Sequence, residues 1–433
     1  MGQAPVDASV QPTVELTVER LGLEGEGIAT HAGRALFVSG ALPGERVRVR
    51  LEPAGKVCRG RLEQVLSPSP LRRTPPCPLA DRCGGCDWMH LEPGAQVAEK
   101  QRLVLDALVH LGGFAPGSWS QLPTVGTGTD TGTRRRAVLH WESKWLGYFG
   151  RRSHQAIRVD VCPALVPRLA SLPGQLSAQL KPLGRSLKAV HLLAEGEAVS
   201  LGLDLEGKVR PKTRDVAEAL VRTGLVRGVV LLEAGGRTEE VGRPVVEAPA
   251  PGRPAVRLRF RADAFAQAQA RGVDVLVERA MELLSAKPTD RALELYAGNG
   301  TFTFALSGRV ASVVAVESSA ISLSLGTAAG RAGNVENVRW VQGDAVRVCQ
   351  GLLKEGSRFD VLLADPPRTG APKLSEFARA LGVRRVVYVG CDAGSLARDA
   401  GRLVAAGFRL QTVQLVDVFP NTHHIEALLV FDA

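Results

Sequence analysis

Two residues of this 433-residue chain have side chains suited to covalent chemistry on a ring. Cys391 sits in Tyr388-Val389-Gly390-Cys391-Asp392, just after a run that reads as a buried strand. Glu426 closes Phe419-Pro420-Asn421-Thr422-His423-His424-Ile425-Glu426, at the start of the last apolar run. A thiolate can add to C6 of a pyrimidine, which makes C5 enolate-like and able to attack an electrophilic methyl group. A base must then remove the C5 proton so that the thiolate can leave. Ser395-Leu396-Ala397-Arg398-Asp399 reads as a helix, and a helix start beside Cys391 is expected to favour its thiolate. A lone strand-end cysteine is more often a small buried hydrophobe. The loop Asp365-Pro366-Pro367-Arg368 upstream tips the reading toward chemistry.

A cofactor pocket is legible around these residues. Glu294-Leu295-Tyr296-Ala297-Gly298-Asn299-Gly300-Thr301 leaves an apolar run, and its glycines let backbone amides approach a ligand at the next helix start. Glu317 ends the following strand, where an acid can accept both ribose hydroxyls. Asp344, in Gln342-Gly343-Asp344-Ala345, is placed to meet an adenine edge. The bland alternatives are a solvated strand end for Glu317 and a helix cap for Asp344. The turn is not G-x-G-x-x-G, and no pyrophosphate loop is evident, so S-adenosylmethionine fits better than a dinucleotide.

The positioning elements follow from periodicity. From Ala268 onward, helix and buried strand alternate: a helix over Val273–Leu284, then strands at 292–296, 313–317, 339–341, 361–365, 385–389 and 426–431. Such alternation predicts an α/β fold, with a mostly parallel, doubly wound sheet whose ligands bind outside the carboxyl ends of its strands. Residues 1–10 read as a disordered tail. From Thr13 to Ser67, short alternating strands and glycine turns predict a small OB-like β-barrel. Residues 68–78 form a proline-rich linker, 93–111 an amphipathic helix, and 133–261 an antiparallel sheet. No internal repeat is visible.

Composition bounds the rest. The length allows about two to four domains, and 45% of residues are hydrophobic. No apolar run reaches the roughly 18–20 residues of a membrane span, and the first residues lack the apolar core of an export signal. A net charge of +10 points to a polyanionic partner. Arg46, Arg48, Arg50, Lys56, Arg59 and Arg61 cluster in one segment, Arg134, Arg135, Arg136, Arg151 and Arg152 in another, as RNA phosphates would require. Of the seven cysteines, Cys77, Cys83 and Cys86 form Cys-Pro-x4-Cys-Gly-Gly-Cys, with Cys162-Pro163 downstream. Four thiolates suit either zinc or an iron–sulfur cluster, and the spacing alone does not separate them.

The N-terminal segment resembles a TRAM domain through Gly25-Glu26-Gly27-Ile28-Ala29, Val38-Ser39-Gly40 and Pro43-Gly44-Glu45-Arg46-Val47. The chain as a whole resembles the bacterial RNA (uracil-5-)-methyltransferase family. The resemblance rests on Phe265-Ala266-Gln267, residues 294–302, Asp365-Pro366-Pro367-Arg368, Tyr388-Val389-Gly390-Cys391, Leu396-Ala397-Arg398-Asp399 and the run from Phe419 to Glu426. It implies Cys391 as nucleophile and Glu426 as base, with Gln267, Tyr296, Thr301, Glu317, Asp344 and Asp365 around S-adenosylmethionine. The cysteine spacing, followed by Trp88-Met89-His90-Leu91, looks like the [4Fe-4S] site of the subfamily that modifies large-subunit rRNA, held by Cys77, Cys83, Cys86 and Cys162. Four thiolates leave no open iron for radical chemistry, so a structural or RNA-positioning cluster is implied. The chain departs from the family at Gly390, Asp392 and Ala393, where Ser, Asn and Pro are usual.

The resulting expectation is a cytoplasmic, monomeric three-part enzyme: a TRAM barrel over 11–68, a cluster-bearing sheet domain over 69–262 and a Rossmann-like methyltransferase domain over 263–433. The helix at 93–111 is expected to pack on the catalytic domain. The expected partner is RNA, 23S rRNA in particular, with no membrane or DNA. The rivals are a tRNA uridine-C5 methyltransferase and a non-catalytic RNA-binding or ribosome-assembly factor. A cytosine-C5 methyltransferase is disfavoured, because no Pro-Cys motif with a nearby carboxylate is present.

Overall fold

Strands buried on both faces need apolar residues at every position, and the C-terminal third supplies them. In the computed structural model, which describes residues 12–53 and 56–433, seven strands form its sheet: β1 (Arg291–Leu295), β2 (Ser312–Glu317), β3 (Val338–Gln342), β4 (Val361–Ala364), β5 (Arg385–Gly390), β6 (Arg409–Asp417) and β7 (Ala427–Asp432). The tail expected at residues 1–10 lies outside the described residues. The order is β3-β2-β1-β4-β5-β7-β6, and Ser120–Gln121 and Val125–Gly126 add to the β6 edge in parallel. β1 to β5 are mutually parallel; β7 runs antiparallel to both β5 and β6. Strand order reverses between β1 and β4, which opens a crevice at their carboxyl ends.

The sheet divides its side chains between two cores. Leu362, Val386, Tyr388, Leu429 and Phe431 face one; Val361, Leu363, Val387, Val389 and Leu428 face the other. The helices are α1 (Ala270–Leu284), α2 (Thr303–Ser307), α3 (Ala320–Ala332), α4 (Ala345–Lys354), α5 (Leu374–Ala380) and α6 (Ala393–Ala405). α4, α5 and α6 cover the first core, joined by Val104, Ala107 and Leu108 of the helix Pro93–His110. α1 and α2 cover the second. Each fully buried Val, Leu or Phe contributes about 1.5–3 kcal/mol relative to exposure, so these cores hold the strand ends rigid.

The chain divides into two compact units: residues 1–103 with Asn421–His423, and residues 104–420 with 424–433. In the first, six strands form one sheet, with Val18, Leu36, Val38, Val47 and Val49 in its core. In the second, a seven-stranded sheet precedes the catalytic one. It is antiparallel except where Ala198–Leu205 pairs in parallel with Gly228–Leu232. The helix Pro211–Arg222 makes that crossover, with Pro at the start where its missing N–H costs nothing. The wholly antiparallel sheet expected over 133–261 is corrected at that pair.

Candidate active site

Gly390 of β5 lies opposite Ala427 of β7. Because those strands are antiparallel, the residue after the first and the residue before the second leave the sheet at one edge. Those residues are Cys391 and Glu426. β4 ends in register with β5, Ala364 beside Tyr388, so Asp365 leaves at the same edge. A parallel β7 would have put Glu426 at the far edge.

Burial governs the protons here. Glu426 is 2% exposed, and its Oε1 has no hydrogen-bond partner. Burial, and then the charge of Asp365, hold its carboxyl well above the usual range. Asp365 is pushed up to about 7 by burial, against a hydrogen bond donated by Gln267 Nε2 at 3.4 Å. Burial, then Glu426 and Asp365, push the Cys391 thiol up to about 12, while the Arg368 guanidinium pulls it down. Burial and the neighbouring acids thus act against the thiolate that the helix start is expected to favour. Asp392 Oδ1 already takes the Ser395 N–H at 2.7 Å as the cap of α6, and its charge raises the thiol further.

Arg368 lies in a turn closed by the Gly370 N–H donating to Pro367 O at 2.8 Å. It donates to His424 Nε2 at 2.9 Å. That ring nitrogen must accept, so it carries no proton in this arrangement. The Phe419 ring packs edge-on against His424, with centroids 6.0 Å apart.

The glycine turn supplies the neighbouring side. Tyr296 leaves β1 at φ 65°, a conformation sparsely populated by residues with side chains. Burial, then Asp344, push its phenol up to about 12. Glu317 Oε2 accepts the Gly298 N–H at 2.9 Å and Oε1 the Ser319 N–H at 2.6 Å. The Ser318 hydroxyl also donates to Oε1 at 3.3 Å; a carboxylate offers about four lone-pair sites, so one is left for a hydroxyl donor, and two if the exposed Ser318 hydroxyl turns away. Asp344 caps α4 by accepting the Arg347 N–H at 3.1 Å. The Thr301 hydroxyl bonds Asn299 Oδ1 at 3.1 Å, and the residue lines a cavity of about 510 Å³ beside Val273, Val277 and Phe260.

Sequence reasoning gave Glu294 no role, yet it is the sharpest indicator of a cationic ligand. It is 1% exposed, and neither carboxylate oxygen has a hydrogen-bond partner of normal geometry, although Thr303 lies near enough to favour the charged form. Burial pushes the carboxyl up to about 8, helped by the charges of Asp365 and Glu317. The available signal was a charge inside Ala292-Leu293-Glu294-Leu295, an otherwise apolar strand. With its orphaned oxygens and these neighbouring acids, the crevice fits a ligand carrying positive charge, as the sulfonium and ammonium of S-adenosylmethionine do.

Cys77, Cys83 and Cys86 lie in one turn-rich stretch of the first unit, and Cys162 belongs to the second. The Cys83 sulfur accepts the Gly85 N–H at 3.4 Å. Among the described residues, no group of three or more His, Cys, Asp or Glu side chains is arranged to hold a metal ion.

Comparison with known proteins places this fold. A tRNA (uracil-54, C5)-methyltransferase of Pyrococcus abyssi, solved with S-adenosyl-L-homocysteine, shares the fold with a TM-score of 0.75 at 20% identity, over 96% of this chain and 99% of that one. The fold is thus that of an S-adenosylmethionine-dependent methyltransferase with further domains before it. Residues 252–432 match the family described as tRNA (Uracil-5-)-methyltransferase, and residues 9–56 match the TRAM domain. The 23S rRNA (uracil(1939)-C(5))-methyltransferase RlmD of Pseudomonas aeruginosa strain UCBPP-PA14 is 34% identical over 96% of this chain and 94% of its own length. The protein of that name from Pseudomonas putida is 35% identical over 96% and 93%. The chain belongs to the RNA (uracil-5-)-methyltransferase family. Among the described residues, no helix is long and apolar enough to cross a membrane.

Proposed function

We propose that this chain methylates uridine C5 in 23S rRNA in the cytoplasm, as a monomer, with Cys391 as nucleophile and Glu426 as base. The observation that carries the reading is the Gly390–Ala427 register, which sets thiol and carboxylate side by side at one sheet edge. The Cys391 sulfur forms a bond to C6, and the C5=C6 electron pair moves toward C5 and the O4 carbonyl. S-adenosylmethionine, when bound, supplies the methyl group to C5 and keeps the electron pair of the broken carbon–sulfur bond. Glu426 takes the C5 proton, C5=C6 reforms, and the thiolate leaves with its electron pair. Gln267, Tyr296, Thr301, Glu317, Asp344 and Asp365 surround the cofactor in this reading, with Glu294 facing its positive charge. That charge also brings the buried acids and the thiol back toward their ionised forms, as the nucleophile and base require. The uridine must be splayed out of its RNA to reach Cys391.

The test is a trap. Glu426→Gln should still add and methylate but not release, leaving a denaturant-resistant RNA–protein adduct that carries labelled methyl from the cofactor. Cys391→Ala should form no adduct, turn over at least about 10³-fold more slowly, and bind cofactor normally. A folded Glu426→Gln enzyme releasing methylated RNA at the wild-type rate would remove the base assignment. Methylation of tRNA instead of rRNA would move the substrate to the rival reading.

In the same proposal the three parts divide as barrel (11–68), cluster domain (69–262) and catalytic domain (263–433). Cys77, Cys83, Cys86 and Cys162 hold a [4Fe-4S] cluster that is structural or positions RNA and takes no part in methyl transfer. Four thiols and an N–H aimed at the Cys83 sulfur suit such a cluster, whose sulfurs accept backbone hydrogen bonds. Protein purified without oxygen should contain iron and inorganic sulfide. One zinc and no iron would overturn the assignment.

A further inference from the structure

Asp399 stands on α6 and is 3% exposed. Its Oδ2 accepts the Tyr388 hydroxyl at 2.8 Å and the Ala371 N–H at 2.5 Å, while Oδ1 accepts the Arg402 guanidinium at 2.5 Å. Gly370, at φ 79°, approaches so closely that a Cβ there would stand 2.4 Å from Asp399 Oδ2 and 3.2 Å from the Ser395 Cβ. Tyr388 lies on β5, the strand that ends before Cys391. Gly370 closes the turn that carries Arg368, whose guanidinium acts on the Cys391 thiol and donates to His424. One buried carboxylate therefore grips both the strand of the nucleophile and the turn of its cation.

We propose that Asp399 is a positioning residue for the reaction: it clamps the Pro367–Gly370 turn against β5 so that Arg368 stands where it stabilises the Cys391 thiolate. Asp399 touches neither ring nor cofactor in this arrangement. The three donors that converge on it explain why a carboxylate is used: an amide would present its own NH₂ to one of them. Gly370 is required for the same reason, since any side chain would lift the turn from the clamp.

The inference rests on Cys391 being the nucleophile, and its readout is chosen to stand apart from that reading. Iodoacetamide alkylation of Cys391, followed by mass spectrometry across pH in the full-length protein, reports the thiol whether or not RNA is methylated. Asp399→Asn should move the alkylation profile to higher pH, slow alkylation at pH 8 about tenfold, and lower kcat about 10²-fold, the scale of a misplaced catalytic group. KM for the cofactor should stay within about twofold. Gly370→Ala, which changes no ionisable group, should move the profile in the same direction, and it decides the matter if Asp399→Asn does not fold. Either variant, folded by thermal melting, with the wild-type alkylation profile would overturn the clamp. Methylation by Cys391→Ala would instead defeat the nucleophile reading and leave the alkylation result standing.

Discussion

At the scale of single residues, the site is a cluster of acids that hold protons they would lose in water. Glu294 is the clearest case: burial acts most strongly on it, and the charges of Asp365 and Glu317 add to burial against the Thr303 hydroxyl, which favours the charged form. An acid whose folded value lies above its unfolded value takes up a proton on folding, so stability falls as pH rises between the two. For Glu294 that window runs from about 4.5 to about 8, and the loss is complete above it. The thermal midpoint of cofactor-free protein should therefore decline from pH 5 to 8, and Glu294→Gln should flatten that decline, since the amide has nothing to titrate. The same charge logic ties the residue to its ligand: S-adenosylmethionine should bind more tightly to the wild type as pH rises through 7 and 8, and Glu294→Gln should lose that dependence along with about tenfold in affinity. Parallel melting curves for wild type and variant would mean that Glu294 meets an unrecorded partner and is not the cation's neighbour.

At the scale of elements, the start of α6 sets the thiol's environment in a way this chain's own residues make testable. Where the family usually has Asn after the nucleophile, Asp392 keeps the capping bond to the Ser395 N–H but adds a negative charge beside Cys391. Asp392→Asn should keep the cap and remove the charge, speeding alkylation of Cys391 at neutral pH about three- to tenfold, as one nearby charge at high effective dielectric allows. No change in rate would mean that solvent screens that charge fully. Gly390, another departure, has its own reason: a Cβ there would stand 2.5 Å from Leu396 Cδ1 and 3.1 Å from its Cβ, so the usual Ser would need the Leu396 side chain to move. Much of this architecture was legible in sequence because β4, β5 and β7 are uninterrupted apolar runs, and their ends carry Asp365, Cys391 and Glu426. β6 went unread, because Arg409-Leu410-Gln411-Thr412-Val413-Gln414 mixes polar residues into the pattern of an antiparallel strand near the sheet's edge. Ser120–Gln121 and Val125–Gly126 are too short to show any period. The opposition of Cys391 and Glu426 is a fact of register, and the convergence on Asp399 joins residues from a strand, a loop and a helix. Neither leaves a mark on a linear pattern.

At the scale of the whole molecule, charge decides how RNA is gripped, and the structure changes what the arginine-rich barrel strand offers. The alternation in Arg46–Leu51 buries Val47 and Val49 and turns the arginines outward, as the sequence implies. Those arginines have carboxylate partners, however: Arg46 and Arg48 meet Glu15, at 3.7 and 2.8 Å, and Arg50 meets Glu63 at 2.5 Å. Arg59 pairs with Glu26 at 2.8 Å. Glu26 is buried, but Glu15 and Glu63 reach solvent, and ion pairs of that kind are worth only about 0–1 kcal/mol each, so phosphates can displace those two carboxylates, but the displaced acids then repel the RNA backbone. The barrel therefore contributes less to phosphate binding than the net charge of +10 suggests. Removing two of those acids should release the difference. The double variant Glu15→Gln, Glu63→Gln should bind an unmodified rRNA fragment about three- to tenfold more tightly at low salt, with a steeper fall in log affinity against log salt, by roughly 0.7 for each phosphate newly engaged. Cofactor affinity should be unchanged, because the substitutions lie in the other compact unit. Titrations at several salt concentrations decide it. A slope and an affinity equal to those of the wild type would show that this face of the barrel does not meet RNA phosphates, and would leave the arginines around Arg134 and Arg151 to do so.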